Sequence, residues 1–219
     1  MRGSQSDSSR DGRLAASSTA LVLIGFQNEY FAAGGALHGD IADVGAPERV
    51  LAATVGLIGR LAATETLIVA TPIVFTPTSA EMVDPVGALA AIKARGAFQE
   101  GTDGSRLVDD LGQFGSRIVE IGGPRGKNAF SNPGLDESLA ARGIRDVVIA
   151  GALTCVCVDS TARSAHERGY RVTVLSDCTM GRTRSEHRLF CERIFPLYAE
   201  VITSDQVADR LRVSSPASS

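Results

Sequence analysis

VVIAGALTCVCVDSTAR, residues 147–163, joins a β-branched apolar run to a glycine, a Thr-x-x-Cys step and a helical pattern. An apolar run that stops at Gly151 reads as a buried parallel strand, since such strands are covered on both faces and need no polar alternation. Residues 159–168, with Ala162 and Ala165 at helical spacing, read as the helix that follows. Cys157 then falls near a helix start, where unpaired N–H groups and the positive end of the helix favour the thiolate. Backbone amides in the turn at residues 151–157 can face an oxyanion formed on a carbonyl held against the sulfur. The stretch reads as a nucleophile elbow.

Outward from it, the same alternation repeats. Residues 19–25, TALVLIG, predict a first buried strand; 67–75 a second, bent by Pro72; 117–121, 171–175 and 201–202 three more. Helices are predicted over 47–64, 132–142, 185–198 and 204–212, the second opened by Asn132 and Pro133 and ended by Gly143. Strand alternating with helix implies right-handed crossovers and an α/β fold: a doubly wound, mainly parallel sheet with helices on both faces, a Rossmann-like three-layer sandwich. In such sheets ligands bind at the carboxyl ends of the strands. Two connections at that end stand out. Residues 76–105 are longer than a compact domain usually allows without function, so this segment, with a short helix over 82–93, is a candidate lid that shapes the substrate pocket. The turn GGPRGKNAF, residues 122–130, places Lys127 at a strand end within a glycine- and proline-restricted loop.

The composition narrows the function classes. At 219 residues, 44% hydrophobic and 21% charged, the chain suits one domain with a single sizeable core. That domain is expected over 19–213, after a polar tail at 1–18 and before a frayed end at 214–219. A net charge of −3 with interspersed signs gives no basic stripe, so nucleic acid is not an expected partner. The longest early apolar run, 19–24, is too short to span a bilayer and no signal-peptide core precedes it, so the expected location is cytoplasmic, with no membrane partner. Four cysteines in a chain this long are no disulfide framework. His38, His166 and His187 are scattered, Cys155-x-Cys157 lacks a second pair at metal spacing, and no P-loop or GxGxxG occurs, so neither metal nor cofactor is expected.

Gly151, Thr154, Cys157, Val158, Thr161, Ala162 and Ala165 match G-x-x-T-x-x-C-V-x-x-T-A-x-x-A, and in this the segment resembles the isochorismatase-like cysteine hydrolases. The resemblance extends over residues 19–207. It includes ALVLIGFQNEYF at 20–31 against A-L-L-V-I-D-x-Q-N-D-F, Gly96, Phe98, Gly101, Thr102, Gly104 and Leu107 against G-x-F-x-x-G-T-x-G-x-x-L, and Lys127, Ala129 and Phe130 in the lysine frame. The resemblance implies Cys157 as nucleophile, Lys127 as catalytic lysine, and Leu153 and Cys157 amides as the oxyanion site. Gln27, Phe31, Phe98 and Phe130 become candidate substrate-binding side chains. It also implies a homo-oligomer, dimer or tetramer. One position departs: Gly25 stands where the family carries its catalytic aspartate.

The implied reaction is attack of Cys157 on the amide or ureido carbonyl of a small molecule, a thioester intermediate and release by water. Without the aspartate, either Lys127 or a water in the space left at Gly25 has to take the thiol proton; Glu29 is the other acid near enough in sequence to substitute as base. The alternative is a catalytically silent member that keeps the pocket and binds a small ligand or a partner protein. Vinyl-ether hydrolysis is disfavoured, because the acid it needs would stand at position 25.

Overall fold

The computed structural model describes residues 14–123 and 127–212. Six strands form one sheet: β1 Thr19–Ile24, β2 Leu67–Thr71, β3 Val119–Glu120, β4 Asp146–Ala152, β5 Arg171–Met180 and β6 Glu200–Ile202. Every pairing is parallel and the order is β3-β2-β1-β4-β5-β6. The chain thus winds outward one way from β1 to β3 and the other way from β4 to β6. The crevice between the carboxyl ends of β1 and β4 is the switch point at which such sheets bind ligands.

The central strands are buried and apolar apart from Thr19, Thr71 and Asp146, the last paired with Arg171: all six residues of β1, five of β2 and seven of β4 are buried. α2 (Ala46–Leu61) and α8 (Ser204–Arg212) pack against each other and on β5, while α6 (Asp159–Glu167) packs on β5 and on the short turn Ala129–Ser131. α5 (Pro133–Ala141) starts as its sequence predicts, Asn132 accepting a hydrogen bond from the Gly134 amide ahead of Pro133. Asp177 is structural: its carboxylate accepts from the Ser204 amide at 2.8 Å and hydroxyl at 2.6 Å, capping α8. At the far edge, Arg117 donates to four carbonyls of the α2–β2 corner, those of Leu61, Ala62, Thr64 and Thr66.

Several boundaries differ from expectation. The predicted tail reaches Ser18, yet Leu14 is buried and Ala16–Ser18 is a 3₁₀ turn, with the Ser18 carbonyl accepting from Arg145 N. The rest of that tail, residues 1–13, and the C-terminal end at 213–219 lie outside the described residues. β2 stops at Thr71, because Pro72 cannot donate to the ladder. The lid helix is α3, Ala88–Arg95, six residues later than predicted at its start. β5 runs on to Met180: after an irregularity in the ladder, Thr179 and Met180 pair with Gly151 and Ala152. The predicted helix over 185–198 is broken into α7 (Arg184–Leu189), a π turn (Phe190–Ile194) and a 3₁₀ turn (Phe195–Leu197). No helix among the described residues is long and apolar enough to cross a membrane.

Candidate active site

Cys157 lies in a π-helical turn, Thr154–Val158, that continues directly into α6. The helical stretch therefore begins at Thr154, and the cysteine sits one turn inside it. Gly151 allows the approach: its φ is +136°, and a Cβ there would run into the Ile24 carbonyl of β1. Thr154 fixes the opening of the turn through a 2.9 Å hydrogen bond with His187 Nδ1, while His187 Nε2 lies 3.0 Å from the Ser176 carbonyl.

Lys127 arrives from the edge side of the sheet. The glycine- and proline-rich turn before it lies partly, at residues 124–126, outside the described residues. The segment after it is docked onto α6: Asn128 Nδ2 donates to Ser164 Oγ at 2.5 Å and Ala129 N donates to Thr161 Oγ1 at 3.0 Å. Thr161, a motif threonine with no evident chemistry in sequence, thus ties the lysine loop to the helix that carries the cysteine.

The electrostatics of the thiol oppose the sequence expectation. Burial pushes Cys157 up to about 11; a backbone hydrogen bond with Leu153 and the charge of Lys127 pull the other way. The thiol is 3% exposed. Acidity does not single it out, because burial also raises Cys191 to about 11 and Cys178 to about 12. Cys155 is raised to about 12, by burial and by donating its thiol proton to Glu186 Oε1 at 2.8 Å. All four cysteines are free.

Gly25, at the end of β1, has φ +65°, and a Cβ there would stand 2.7 Å from the Ala152 carbonyl oxygen and 3.7 Å from Tyr30 Cδ2. The expected gap beside Gly25 is thus bordered by the ring of Tyr30, which is buried within α1 (Asn28–Phe31). Burial raises the Tyr30 phenol well above its ordinary value, and the nearby Cys157, Asp40, Cys155 and Glu29 add to this, so it remains a neutral O–H. Tyr30 was not among the sequence candidates, although its place in the first motif marked it.

The other candidates have different work. Both Glu29 oxygens are committed to backbone amides, Oε2 to Ala36 N at 2.7 Å and Oε1 to Phe98 N at 3.0 Å. This carboxylate, the expected substitute base, fastens two loops. Gln27 is fully buried and its amide is spent on the backbone: Nε2 donates to the Ile73 and Ser105 carbonyls at 2.7 Å each, and Oε1 accepts from Ile73 N. Phe31 stacks on Phe26 at 4.9 Å, Phe98 is fully buried against Tyr30, and Phe130 lies between Tyr170 and the Arg168 guanidinium. None of these four lines the cavity that adjoins the cysteine turn.

That cavity, about 390 Å³, lies between α1, α3 and the turn, with Tyr30, Leu37, Ala88, Ala91, Leu153 and Val156 in its walls. Asp40 and Arg182 are its charged members. The candidate lid lines this cavity through α3. Among the described residues no group of three or more His, Cys, Asp or Glu side chains is arranged to hold a metal.

Comparison with known proteins agrees with the architecture. A cysteine hydrolase from Pseudomonas syringae pv. phaseolicola 1448A superposes with TM-score 0.80 at 18% identity, over 93% of this chain and 96% of that one. The YcaC gene product of Escherichia coli, an octameric hydrolase of unknown specificity, superposes with TM-score 0.66 at 22% identity, over 92% of this chain and 82% of its own. In sequence, the ureidoacrylate amidohydrolase RutB of Methylorubrum extorquens is 31% identical over 176 residues, which is 75% of this chain and 70% of RutB. The isochorismatase domain model matches residues 19–206, from the first residue of β1 into α8, and on that match the chain belongs to the isochorismatase family.

Proposed function

We propose that the protein is a cysteine hydrolase that cleaves the C–N bond of a small amide or ureide through a thioester on Cys157. The observation that carries this is the setting of that thiol: a buried sulfur in a strand-to-helix turn, with a Leu153 backbone hydrogen bond and the Lys127 charge both favouring its thiolate, and a cavity lined by Leu153 and Val156 of the same segment. The amidohydrolase among its relatives supports the bond class. Cys157 Sγ attacks the carbonyl carbon, the Leu153 amide turns from the sulfur to the oxygen as the negative charge moves there, and the C–N bond breaks as the nitrogen leaves protonated. Water then attacks the thioester and restores the thiol. Since a thiol at about 11 is protonated at neutral pH, its proton has to move as the C–S bond forms: the Lys127 ammonium gives one of its own protons to the departing nitrogen and the thiol proton replaces it, so one proton passes from sulfur to nitrogen in all.

The test is intact-protein mass spectrometry on a panel of amides and ureides, with Cys157→Ala and Lys127→Ala beside the wild type. An acyl adduct on Cys157 and loss of turnover in both variants are expected. A Cys157→Ala protein as active as wild type would sink the proposal. The silent binder remains as a second reading because Gly25 and the high thiol pKa both reduce reactivity; ligand binding with no adduct on any substrate is its signature. Self-association is also proposed. A structural relative is octameric, and Leu189 and Leu197 stand 52% and 77% exposed beside the π turn. Light scattering at micromolar concentration decides it, with a monomer as the contrary result.

A further inference from the structure

The cavity beside the cysteine turn carries information about the substrate that the catalytic residues do not. Its volume of about 390 Å³ is small for a ligand site, whose range is roughly 300–1,000 Å³. Its walls are apolar except at three side chains: Tyr30, a neutral hydroxyl, and the charged pair Asp40 and Arg182. Each charge already has a counter-ion. Asp40 accepts from Arg95 Nη1 at 2.7 Å, and Glu186 accepts from Arg182 Nη2 at 3.2 Å and from its backbone amide at 2.9 Å. The four groups sum to zero. A substrate carboxylate attracted to Arg182 would meet Asp40 and Glu186 as well, so the rim offers it no net attraction. A buried apolar chain gains against Leu37, Ile41, Ala91 and Val156 with each carbon added.

We infer that this cavity takes the uncharged apolar portion of a neutral amide, a chain of a few carbons, in preference to a carboxylate-bearing ureido acid. The inference rests on the cysteine-hydrolase reading for the chemistry, but the preference itself is a property of the cavity. Two observations give it structural content. The lid contributes Gly87, Ala88 and Ala91 beside Ile92, so much of the free volume lies where these three positions carry little or no side chain. And Val86, the residue before Gly87, is 80% exposed, which carries the apolar surface outward beside the cavity rim.

The experiment separates binding from turnover. Binding of acetamide, butyramide, hexanamide and adipamic acid (hexanamide with a terminal carboxylate) is measured by calorimetry on Cys157→Ala protein, which needs no reaction. Affinity is expected to rise about fourfold for each buried methylene along the amide series. Adipamic acid is expected to bind at least about tenfold more weakly than hexanamide, since its carboxylate gives up hydration without a free partner. Ala91→Phe in the same background should flatten the chain-length dependence, and Ala91→Val should reduce it if the larger residue prevents folding. Equal or tighter binding of adipamic acid, no dependence on chain length, or an unchanged slope in both Ala91 variants overturns the inference. Failure of the function reading looks different: wild-type protein that binds hexanamide as expected yet never forms an adduct at Cys157 keeps the cavity preference and removes the hydrolase.

Discussion

Replacing Gly25 shows whether the missing carboxylate can be restored. The backbone there is left-handed, φ +65°, and an added Cβ would press to 2.7 Å on the Ala152 oxygen. For a non-glycine residue the left-handed region costs roughly 1–2 kcal/mol. The crowded contact adds roughly 1–2 kcal/mol, because the opposing atom is a backbone oxygen of β4 that no rotamer change can move. Gly25→Ala is therefore expected to destabilise by about 2–4 kcal/mol, and in a domain of this size each kcal/mol lowers Tm by roughly 2–4 °C. Gly25→Asp should lose somewhat less, since aspartate tolerates the left-handed region better than alanine, but it carries the same Cβ. Circular dichroism melts of the three proteins, with amide hydrolysis measured in parallel, make the comparison. The expected result is two destabilised variants and no gain of hydrolysis from the aspartate, whose path is bordered by the Tyr30 ring. Gly25→Ala melting within about a degree of wild type refutes the strain argument. An active, fully stable Gly25→Asp shows that β4 yields and that the ordinary triad fits after all.

Iodoacetamide labelling with peptide mapping should modify the half-buried Cys191 at least as fast as the buried Cys157 near neutral pH, and Cys157 labelling should rise about tenfold per pH unit toward about 11; exclusive labelling of Cys157 at neutral pH would contradict the burial-raised pKa. The four thiols have folded pKa values of about 11 to 12, above the ordinary thiol value, so their contribution to stability is complete below roughly pH 8.5 and lost as pH climbs through the folded values. Tm should accordingly fall with pH on the alkaline side, and a flat profile from pH 8 to 11 would count against it. His187 has the opposite sense: burial lowers its pKa, so stability is lost as pH falls below its ordinary value, and His187→Ala should cost roughly 1–3 kcal/mol by leaving Thr154 Oγ1 and the Ser176 carbonyl short of a partner. Glu29→Gln should lower Tm, since its NH₂ would face a backbone amide, while preserving kcat within a few-fold; a loss of roughly a hundredfold in kcat at unchanged Tm would restore Glu29 as the base.

Strand identity was legible because it rests on local composition: β1, β2 and β4 are covered on both faces, and their residues say so without reference to the rest of the chain. Boundaries failed where a turn residue was underweighted. Pro85 and Gly87 precede α3, and Gly87 at φ +58° cannot be a helix interior, so the predicted start at 82 ignored the breakers in its own window. That Cys157 stands in a turn between β4 and α6 was legible from spacing, since the glycine and the apolar run before it mark the strand end, while the parts given to Lys127 and the Leu153 amide came from the resemblance. The surroundings of the aromatic and amide candidates were not legible. Gln27 and Phe98 take their roles from partners up to 78 residues away in sequence, and polarity or aromaticity alone does not distinguish a ligand contact from a strut between loops. The apolar part of the cavity walls is leucine, isoleucine, valine and alanine, which in sequence look like any core.

The sheet holds the two halves of the site unequally. Cys157 follows β4, paired along its length between β1 and β5, whereas Lys127 follows β3, two residues joined to β2 alone and secured by the Arg117 guanidinium on the α2–β2 corner. Amide exchange should therefore reveal two regimes, with the edge opening at a free energy far below that of the centre. Each such opening would free the approach to the lysine from β3, while Asn128 and Ala129 keep its far side on α6 beside the cysteine turn. The spacing of the two side chains then varies with how firmly one arginine, at the far edge of the sheet, holds β3 to its neighbour.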